Sequence, residues 1–289
     1  MVLFDNMTTV AIYTTLTVIV LLWYGARTNP FRIGGLFVKE LTTSRSFLLH
    51  FAGLLAILFC NKIELKIENA YIDNSVNFAG LFQSIEGNFV SNLQHTFENP
   101  ILTTVLSFIY VVVFQSLMIT SIGIYTYQDK TKRMFYAICY AIMINYFIAI
   151  PFFLFFPVDE VWYHDPTVRF LMLDVFPNFE TEYRALSGLN NCFPSLHTSI
   201  SVTIAVLAIR SGNKRWAWFC SIICLCVLFS IFYLGIHWLI DMCGGLVLGL
   251  FASTVGLKLS STTIRFRTKR RAIVATSPSS RSLVHEEAN

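Results

Sequence analysis

The chain has little charge for its length. Of its 289 residues only 13% are Asp, Glu, Lys or Arg, whereas 55% are hydrophobic. A soluble domain carries about 25% charged residues, so this scarcity argues against a soluble globular enzyme. It also argues against a disordered protein, which needs low hydrophobicity and high charge. The class that fits is a polytopic membrane protein.

Other patterns are missing as well. The seven cysteines show no paired spacing in an aqueous segment, which argues against a disulfide framework and against a zinc knuckle. No Rossmann or P-loop pattern stands where a strand and a helix would support it. Basic residues cluster only in a short tail segment, RFRTKRR, so we expect no nucleic-acid partner. The N-terminus lacks a basic region, and its first apolar run is therefore predicted to be a retained span.

Long apolar runs are what the chain has instead. Seven are long enough to cross a hydrocarbon core. They cover residues 7–26, 45–61, 101–127, 134–157, 194–210, 216–236 and 238–257. The last two are nearly continuous, so a reversal is needed near Leu234–Trp238, and Gly235 supplies its flexible point. We predict an all-α, polytopic transmembrane helix bundle with about seven spans.

Seven spans divide the basic residues unevenly between the two faces of the membrane. One face holds 17 of the 21 Lys and Arg residues, in segments 27–45, 128–133, 210–215 and 258–289. Basic loops stay in the cytoplasm. We therefore predict an integral protein of the cell membrane or an endomembrane, with a cytoplasmic C-terminal tail. The N-terminus and two long loops, 62–100 and 158–193, would face the extracytoplasmic side.

This arrangement predicts three regions. Residues 1–44 form the first span and a cytoplasmic loop, residues 45–257 form the membrane core, and residues 258–289 form a basic, disordered tail. In the first outer loop, apolar residues recur at helical spacing, which predicts a helix lying in the outer interface. They are Phe78, Leu81, Phe82, Ile85, Phe89, Leu93 and Phe97. A lid over a lipid site and simple packing on the bundle both fit this helix.

Two polar islands on the predicted outer face carry the candidate chemistry. In the first, Asn190–Ser199, either Pro194 or Ser195 can start a helix. His197 would then stand in the first turn, beside free N–H groups that favour an anion.

In the second island, His237 and Asp241 are four residues apart and would share one face of a helix. A carboxylate at that depth needs a partner. The Nδ1–H of His237 can donate to Asp241, which leaves Nε2 free as a nucleophile or base. A metal site of His197, His237 and Asp241 is an open alternative, but the position of His197 at a helix start favours an anionic ligand.

The sequence Phe-Pro-Ser-Leu-His197, followed by Tyr-Leu-Gly-Ile-His237-x3-Asp241, resembles the second and third signature motifs of the type 2 phosphatidic acid phosphatase superfamily. The resemblance covers roughly residues 130–257, and its Pro-Ser-Leu-His form resembles the branch that contains inositol phosphorylceramide synthases. It implies a phosphatase-like core of six helices and a reaction without metal or cofactor. His237 would attack phosphorus and form a phosphohistidine, Asp241 would orient and stabilise it, and His197 would act as acid and then as base.

The chain departs from these motifs where they bind phosphate. The family's Ser-Arg pair is Ser230-Ile231 here, and the Lys-x6-Arg-Pro motif is missing. A doubly charged phosphate still needs cations. Among the four basic residues predicted to face outward, we expect Arg184 first and Arg169 second, with Ser195 and Asn191 as neutral donors. Pairing of both arginines with local acids is an alternative of nearly equal weight.

These observations predict a lipid phosphate phosphatase that acts on a phosphomonoester or pyrophosphate at the outer face. Its partners would be a lipid phosphate and the bilayer. With an alcohol in place of water, the same chemistry makes a head-group phosphotransferase. A non-enzymatic transporter or scaffold is a third reading.

Overall fold

The computed structural model describes residues 2–71 and 77–276, and within these ranges the chain is helical and has no strand. Its longer helices are α1 (Met7–Ala26), α2 (Pro30–Thr43), α3 (Arg45–Tyr71), α4 (Ala79–Glu86), α5 (Phe89–Phe97), α6 (Pro100–Gln128), α7 (Arg133–Phe155), α8 (Leu196–Arg210), α9 (Lys214–Tyr233) and α10 (Leu239–Thr276). The prediction of an all-α polytopic bundle is confirmed.

Six of these helices are long and apolar enough to cross a membrane, namely α1, α3, α6, α7, α9 and α10, and the chain is an integral membrane protein. The remaining predicted span corresponds to α8, which has only 15 residues. At about 1.5 Å per residue, α8 is shorter than the roughly 30 Å hydrocarbon core. It packs against α7, α9 and α10, so its apolar residues are covered mainly by protein.

Polar side chains mark where the central helices begin. The Asn99 side chain accepts hydrogen bonds from the N–H groups of Ile101 and Leu102 at the start of α6. Ser195 does the same for α8 and Asn213 for α9. Each cap satisfies an N–H group that has no partner within its helix, which ties the helix starts to short polar stretches between apolar runs.

The contact between α8 and α10 depends on a residue without a side chain. A Cβ added at Gly249 of α10 would lie 2.5 Å from the carbonyl oxygen of Ser199 in α8. Such small residues let the backbones of membrane helices approach closely. This approach places α8, which carries His197, directly against α10, which carries Asp241.

The first outer loop differs from the prediction. The expected single helix is wrong, because α4 and α5 are separated at Gly87, whose φ of +58° lies in the left-handed region. Phe82 and Val90 are buried in the core, whereas Leu81 and Ile85 of the predicted stripe are more than half exposed. The two short helices therefore pack on the bundle through one face and present apolar side chains on another.

Two further segments are more helical than expected. The loop predicted at residues 27–45 contains α2, and α3 continues to Tyr71. The tail, residues 258–289, was expected to be disordered, but α10 continues to Thr276, so that expectation is wrong for residues 258–276. Residues 72–76 and 277–289 lie outside the described ranges.

Segment 158–193 folds over the end of the bundle that carries the histidines. It contains single helical turns at Val161–His164, Phe179–Glu182 and Arg184–Ser187 and a 3-10 turn at Leu171–Asp174. Backbone N–H groups of Val161 and Trp162 donate to the carbonyl oxygens of Ile236 and Gly235. These bonds fix the segment to the reversal between α9 and α10.

Candidate active site

The reversal between α9 and α10 brings His237 and Asp241 together. Gly235 has a φ of +80° and turns the chain, as predicted, and the N–H of His237 donates to the carbonyl oxygen of Ile231. The Nδ1 of His237 lies 3.2 Å from Oδ2 of Asp241, and both side chains are buried. His237 precedes α10, so the two residues meet across the helix start and not along one helical face as expected.

The start of α10 is held by two carboxylates. Asp241 Oδ2 also accepts from the N–H of Trp238 at 2.9 Å. The N–H groups of Leu239 and Ile240 donate to Glu86 of α4, at 2.7 Å each. Burial raises the pKa of Glu86, and these two bonds oppose that effect. The free N–H groups at this helix end are thereby satisfied within the chain.

His197 lies in the first turn of α8, as predicted. Its ring stacks on Tyr110, with ring centroids 4.0 Å apart, and packs against Phe114. The Tyr110 hydroxyl lies 3.2 Å from Nδ1 of His197. Tyr110 belongs to a π-helical segment of α6, Ile109–Val113, and such segments often occur at functional sites.

Both histidines line one cavity of about 300 Å³, and their ring centroids are 6.3 Å apart. The apolar part of the wall includes Phe114, Met118, Phe153, Leu196 and Ile200. The polar part includes Asn61, Gln115, Glu160 and Asn191. A cavity with two imidazoles and a long apolar wall suits an amphiphile whose polar group lies at the histidines.

Comparison with known families decides the wider identity. The family model described as PAP2 superfamily matches residues 81–255, which include both histidines and Asp241. The chain belongs to the PAP2 superfamily. The match begins well before residue 130, so it also covers most of α4 and all of α5 and α6. Neither the curated proteins nor the solved structures give a match.

Membership of the PAP2 superfamily makes the chain a phosphatase- or phosphotransferase-type lipid enzyme. It confirms the resemblance at the level of the superfamily and leaves the inositol phosphorylceramide synthase-like branch as a proposal. The geometry adds what membership alone does not supply: an imidazole paired with a buried carboxylate, and a second imidazole across the same cavity.

Arg184, the first expected phosphate ligand, is engaged elsewhere. A guanidinium has five N–H donors, and all five are used by carboxylates of Glu160 and Glu180 and by the carbonyl oxygen of Gly188, at 2.7–3.1 Å. Burial alone would lower the pKa of Arg184, but its hydrogen bonds to Glu180 and Glu160 and the negative charges of these two carboxylates raise it overall. Arg184 reaches the cavity only through Glu160, whose carboxylate lines it.

Two other residues expected to bind phosphate, Arg169 and Ser195, do not line the cavity. Arg169 is largely exposed and pairs with Glu98 and with Asp174, away from the cavity. The pairing of both arginines with acids, left open above, is what the structure shows. The Ser195 hydroxyl caps α8 by accepting from Thr198 and does not line the cavity.

Asn191 alone of the four expected ligands lines the cavity, and its amide nitrogen donates to Glu64 Oε1 at 3.3 Å. Sequence reasoning missed Tyr110, Glu160 and Glu64, which now join the site. The sequence signal that could have identified one of them is a carboxylate at the end of an apolar run, as at Glu64.

The candidate metal ligands in the structure differ from the set predicted from the sequence. Among the described residues, the group whose ligand atoms lie close together is Cys192, His237 and Asp241, within 4.8 Å. Burial raises the pKa of the Cys192 thiol well above its usual value, and a metal binds the thiolate. His237 and Asp241 already satisfy each other. This donor set is therefore a poor fit for a metal ion.

Proposed function

We propose that this chain is a lipid phosphate phosphatase that cleaves a phosphomonoester or pyrophosphate through a phosphohistidine on His237. The observation that supports it is the pairing of His237 Nδ1 with Asp241 at 3.2 Å, with His197 across the same cavity. An imidazole whose Nδ1–H is held by a buried carboxylate directs the lone pair of Nε2 outward, which is the arrangement of an activated nucleophile.

The proposed reaction has two steps. In the first, Nε2 of His237 forms a bond to phosphorus while the bond to the leaving oxygen breaks, and His197 gives that oxygen a proton. In the second, a water oxygen bonds to phosphorus, the nitrogen–phosphorus bond breaks, and His197 takes the water proton. Asp241 stabilises the positive charge on His237 between the steps. The Tyr110 hydroxyl, 3.2 Å from Nδ1 of His197, holds that ring in place.

The phosphate would be bound with few cations. No Lys or Arg of the described residues lines the cavity. We assign phosphate binding to an N–H of the His197 ring and to the second N–H of the Asn191 amide, since the first is donated to Glu64. Arg169 and Ser195 have no part in this proposal, because their donors lie elsewhere. Arg184 has an indirect part: it holds Glu160 and so keeps that carboxylate from attracting the imidazoles.

The test uses purified protein in detergent with long-chain lipid phosphates. His237→Asn and His197→Asn should each abolish phosphate release, whereas His95→Asn, on an exposed face of α5, should not. Radiolabel from the substrate phosphate should appear on the wild-type chain as an acid-labile, base-stable adduct and be absent from His237→Asn. Turnover retained in both catalytic variants would refute the mechanism.

The alternative acceptor is an alcohol, which would make the chain a head-group phosphotransferase. Its support is the Pro-Ser-Leu-His197 form of the second motif. Incubation of a radiolabelled donor lipid with a polyol separates the two reactions: a new polar lipid indicates transfer, and free phosphate alone indicates hydrolysis. A wild-type protein with neither activity would favour a transporter, which a vesicle flux assay would detect, or a scaffold, which would show no flux.

The extracytoplasmic position of the site is part of the proposal. Its support is the uneven division of Lys and Arg residues between the two sets of loops. The test uses vesicles in which the protein has a single orientation. A membrane-impermeant thiol reagent should label a cysteine introduced at Thr181 from the extracytoplasmic side only. Labelling from the cytoplasmic side would reverse the assigned topology.

A further inference from the structure

The cavity has a second polar end, formed by acceptor oxygens that the proposed phosphate contacts do not use. Three side chains meet there: Asn61 and Glu64 from α3, and Asn191 from the segment before α8. Asn191 donates to Glu64 Oε1 at 3.3 Å, and Asn61 and Glu64 are three residues apart on one helix, so they share a face. Asn61 and Asn191 line the cavity that contains both histidines.

Each of these three side chains keeps one acceptor oxygen without a donor. Among the described residues no donor reaches Oδ1 of Asn61, Oε2 of Glu64 or Oδ1 of Asn191, although all three atoms are inaccessible to solvent. Glu64 itself is only 2% exposed. A buried polar atom without a partner costs about 1–3 kcal/mol, so three such atoms in one place indicate that a ligand supplies the donors.

The acceptor oxygens of this end do not suit an ionised phosphate. Glu64 has no basic partner among the described residues, and Glu160, the acid among the described residues that line the cavity, is paired with Arg184. An ionised phosphate presents mainly acceptor oxygens, so it would leave these three oxygens unsatisfied. The phosphate is directed toward the histidines, and the end formed by Asn61, Glu64 and Asn191 needs a donor-rich group.

We propose that Asn61, Glu64 and Asn191 form a subsite for a polyhydroxylated group, the alcohol partner of the phosphoryl transfer. The three acceptors lie on two elements, and a polyol carries its donors on neighbouring atoms, whereas an ammonium group carries all three of its N–H donors on one atom. The inference rests on the proposed function and extends it: a polyol hydroxyl attacks the phosphohistidine, its proton passes to His197, a phosphorus–oxygen bond forms and the nitrogen–phosphorus bond breaks.

The polyol has two possible sources, a free alcohol from water or the head group of the donor lipid. The experiment measures both in the same purified protein. One arm varies the concentration of glycerol or inositol with a donor lipid phosphate and records transferred and free phosphate. The other arm compares donor lipids whose head group is a polyol with donors whose head group is ethanolamine.

The key variant is Glu64→Gln, which keeps the size of the side chain and replaces one acceptor oxygen by an N–H2 group. Asn61→Ala is a second variant for the case that the first does not fold. Glu98→Gln, on the exposed pair with Arg169, is the matched control. We expect the KM for the polyol, or the preference for a polyol head group, to change about tenfold in the two subsite variants, which is the effect of one lost hydrogen bond. The control should keep wild-type values.

Three outcomes would overturn the subsite. The first is wild-type protein that hydrolyses lipid phosphate but responds to no polyol and prefers no polyol head group. The second is an equal fall of transfer and hydrolysis in Glu64→Gln, which would place Glu64 on the shared step. The third is a preference for ethanolamine over the polyol. Absence of hydrolysis and transfer in the wild type would instead refute the proposed function itself.

Discussion

Replacing Asp241 by Asn removes a charge from the site and keeps the shape of the side chain. The carbonyl oxygen of Asn can take the place of Oδ2 and still accept from His237 and from the N–H of Trp238. What disappears is the attraction between the carboxylate and the positive charge that His237 acquires when it is phosphorylated. The variant thus isolates the electrostatic part of catalysis.

The geometry sets the size of the effect. At 3.2 Å and an effective dielectric constant of about 20, two unit charges attract by roughly 5 kcal/mol. Since the Asn retains a hydrogen bond, we expect a loss of about 3–5 kcal/mol of transition-state stabilisation, a fall in kcat of roughly 10²–10⁴-fold. Asp241 does not line the cavity, so the KM should change little.

Asp241→Asn should also lower the stability of the folded protein. Oδ1 of Asp241 is buried and has no hydrogen-bond partner among the described residues, so Asp241→Asn would place an N–H2 donor at that unpartnered position. This costs about 1–3 kcal/mol and should lower the Tm in detergent by a few degrees. Asp174→Asn, at an exposed carboxylate paired with Arg169, is the matched control and should change neither quantity.

The assay is steady-state phosphate release at 25 °C, with the thermal melt of each sample measured in parallel. A folded Asp241→Asn protein that retains more than about a tenth of the wild-type kcat would refute the reasoning, because the carboxylate would then not stabilise the intermediate. A fall in activity matched by unfolding would be uninformative about charge, and the parallel melt identifies that case.

Three further results are expected. Tyr110→Phe keeps the ring stacked on His197 and removes the hydroxyl 3.2 Å from Nδ1, so kcat should fall about three- to tenfold; an unchanged rate would contradict a role in holding the ring. Gly249→Ala places a Cβ 2.5 Å from a backbone oxygen of α8 and should cost about 1–3 kcal/mol, whereas Gly34→Ala meets open space and should not lower the Tm. Burial raises the pKa of Glu160, so the folded chain binds its proton more tightly than the unfolded chain. The free energy of unfolding should therefore decrease as the pH rises from about 4.5 through the raised pKa, and Glu160→Gln should remove part of that decrease in melts across pH.

Local patterns account for much of the site. The spacing of His237 and Asp241 predicted their contact, and the position of Ser195 and His197 predicted a capped helix start, since both depend on residues within one turn of each other. The motif order also led to the correct superfamily. One local detail differs from the prediction. His237 lies before α10 and not within it, because Asp241 also accepts a hydrogen bond from the N–H of Trp238.

The partners of these groups could not be read from the sequence. Glu86 reaches the start of α10 from 153 residues away, and Tyr110 reaches His197 from 87 residues away. Arg184 was expected at the phosphate because few other basic residues were predicted on that face. In the structure, Glu160 and Glu180 accept hydrogen bonds from four of its five N–H donors. A count of charges does not show which opposite charges a fold brings together.

What the sequence alone determined is therefore short-range: apolar runs long enough for a bilayer, polar caps that start helices, and two histidines with an acid one turn away. These follow from hydrogen bonds and hydrophobic burial within a few residues of each other. What only the tertiary structure decided is which distant side chains meet, including the tyrosine behind His197 and the unsatisfied oxygens of Asn61, Glu64 and Asn191. Those meetings depend on how the helices pack, and packing is a property of the whole bundle that no single segment encodes.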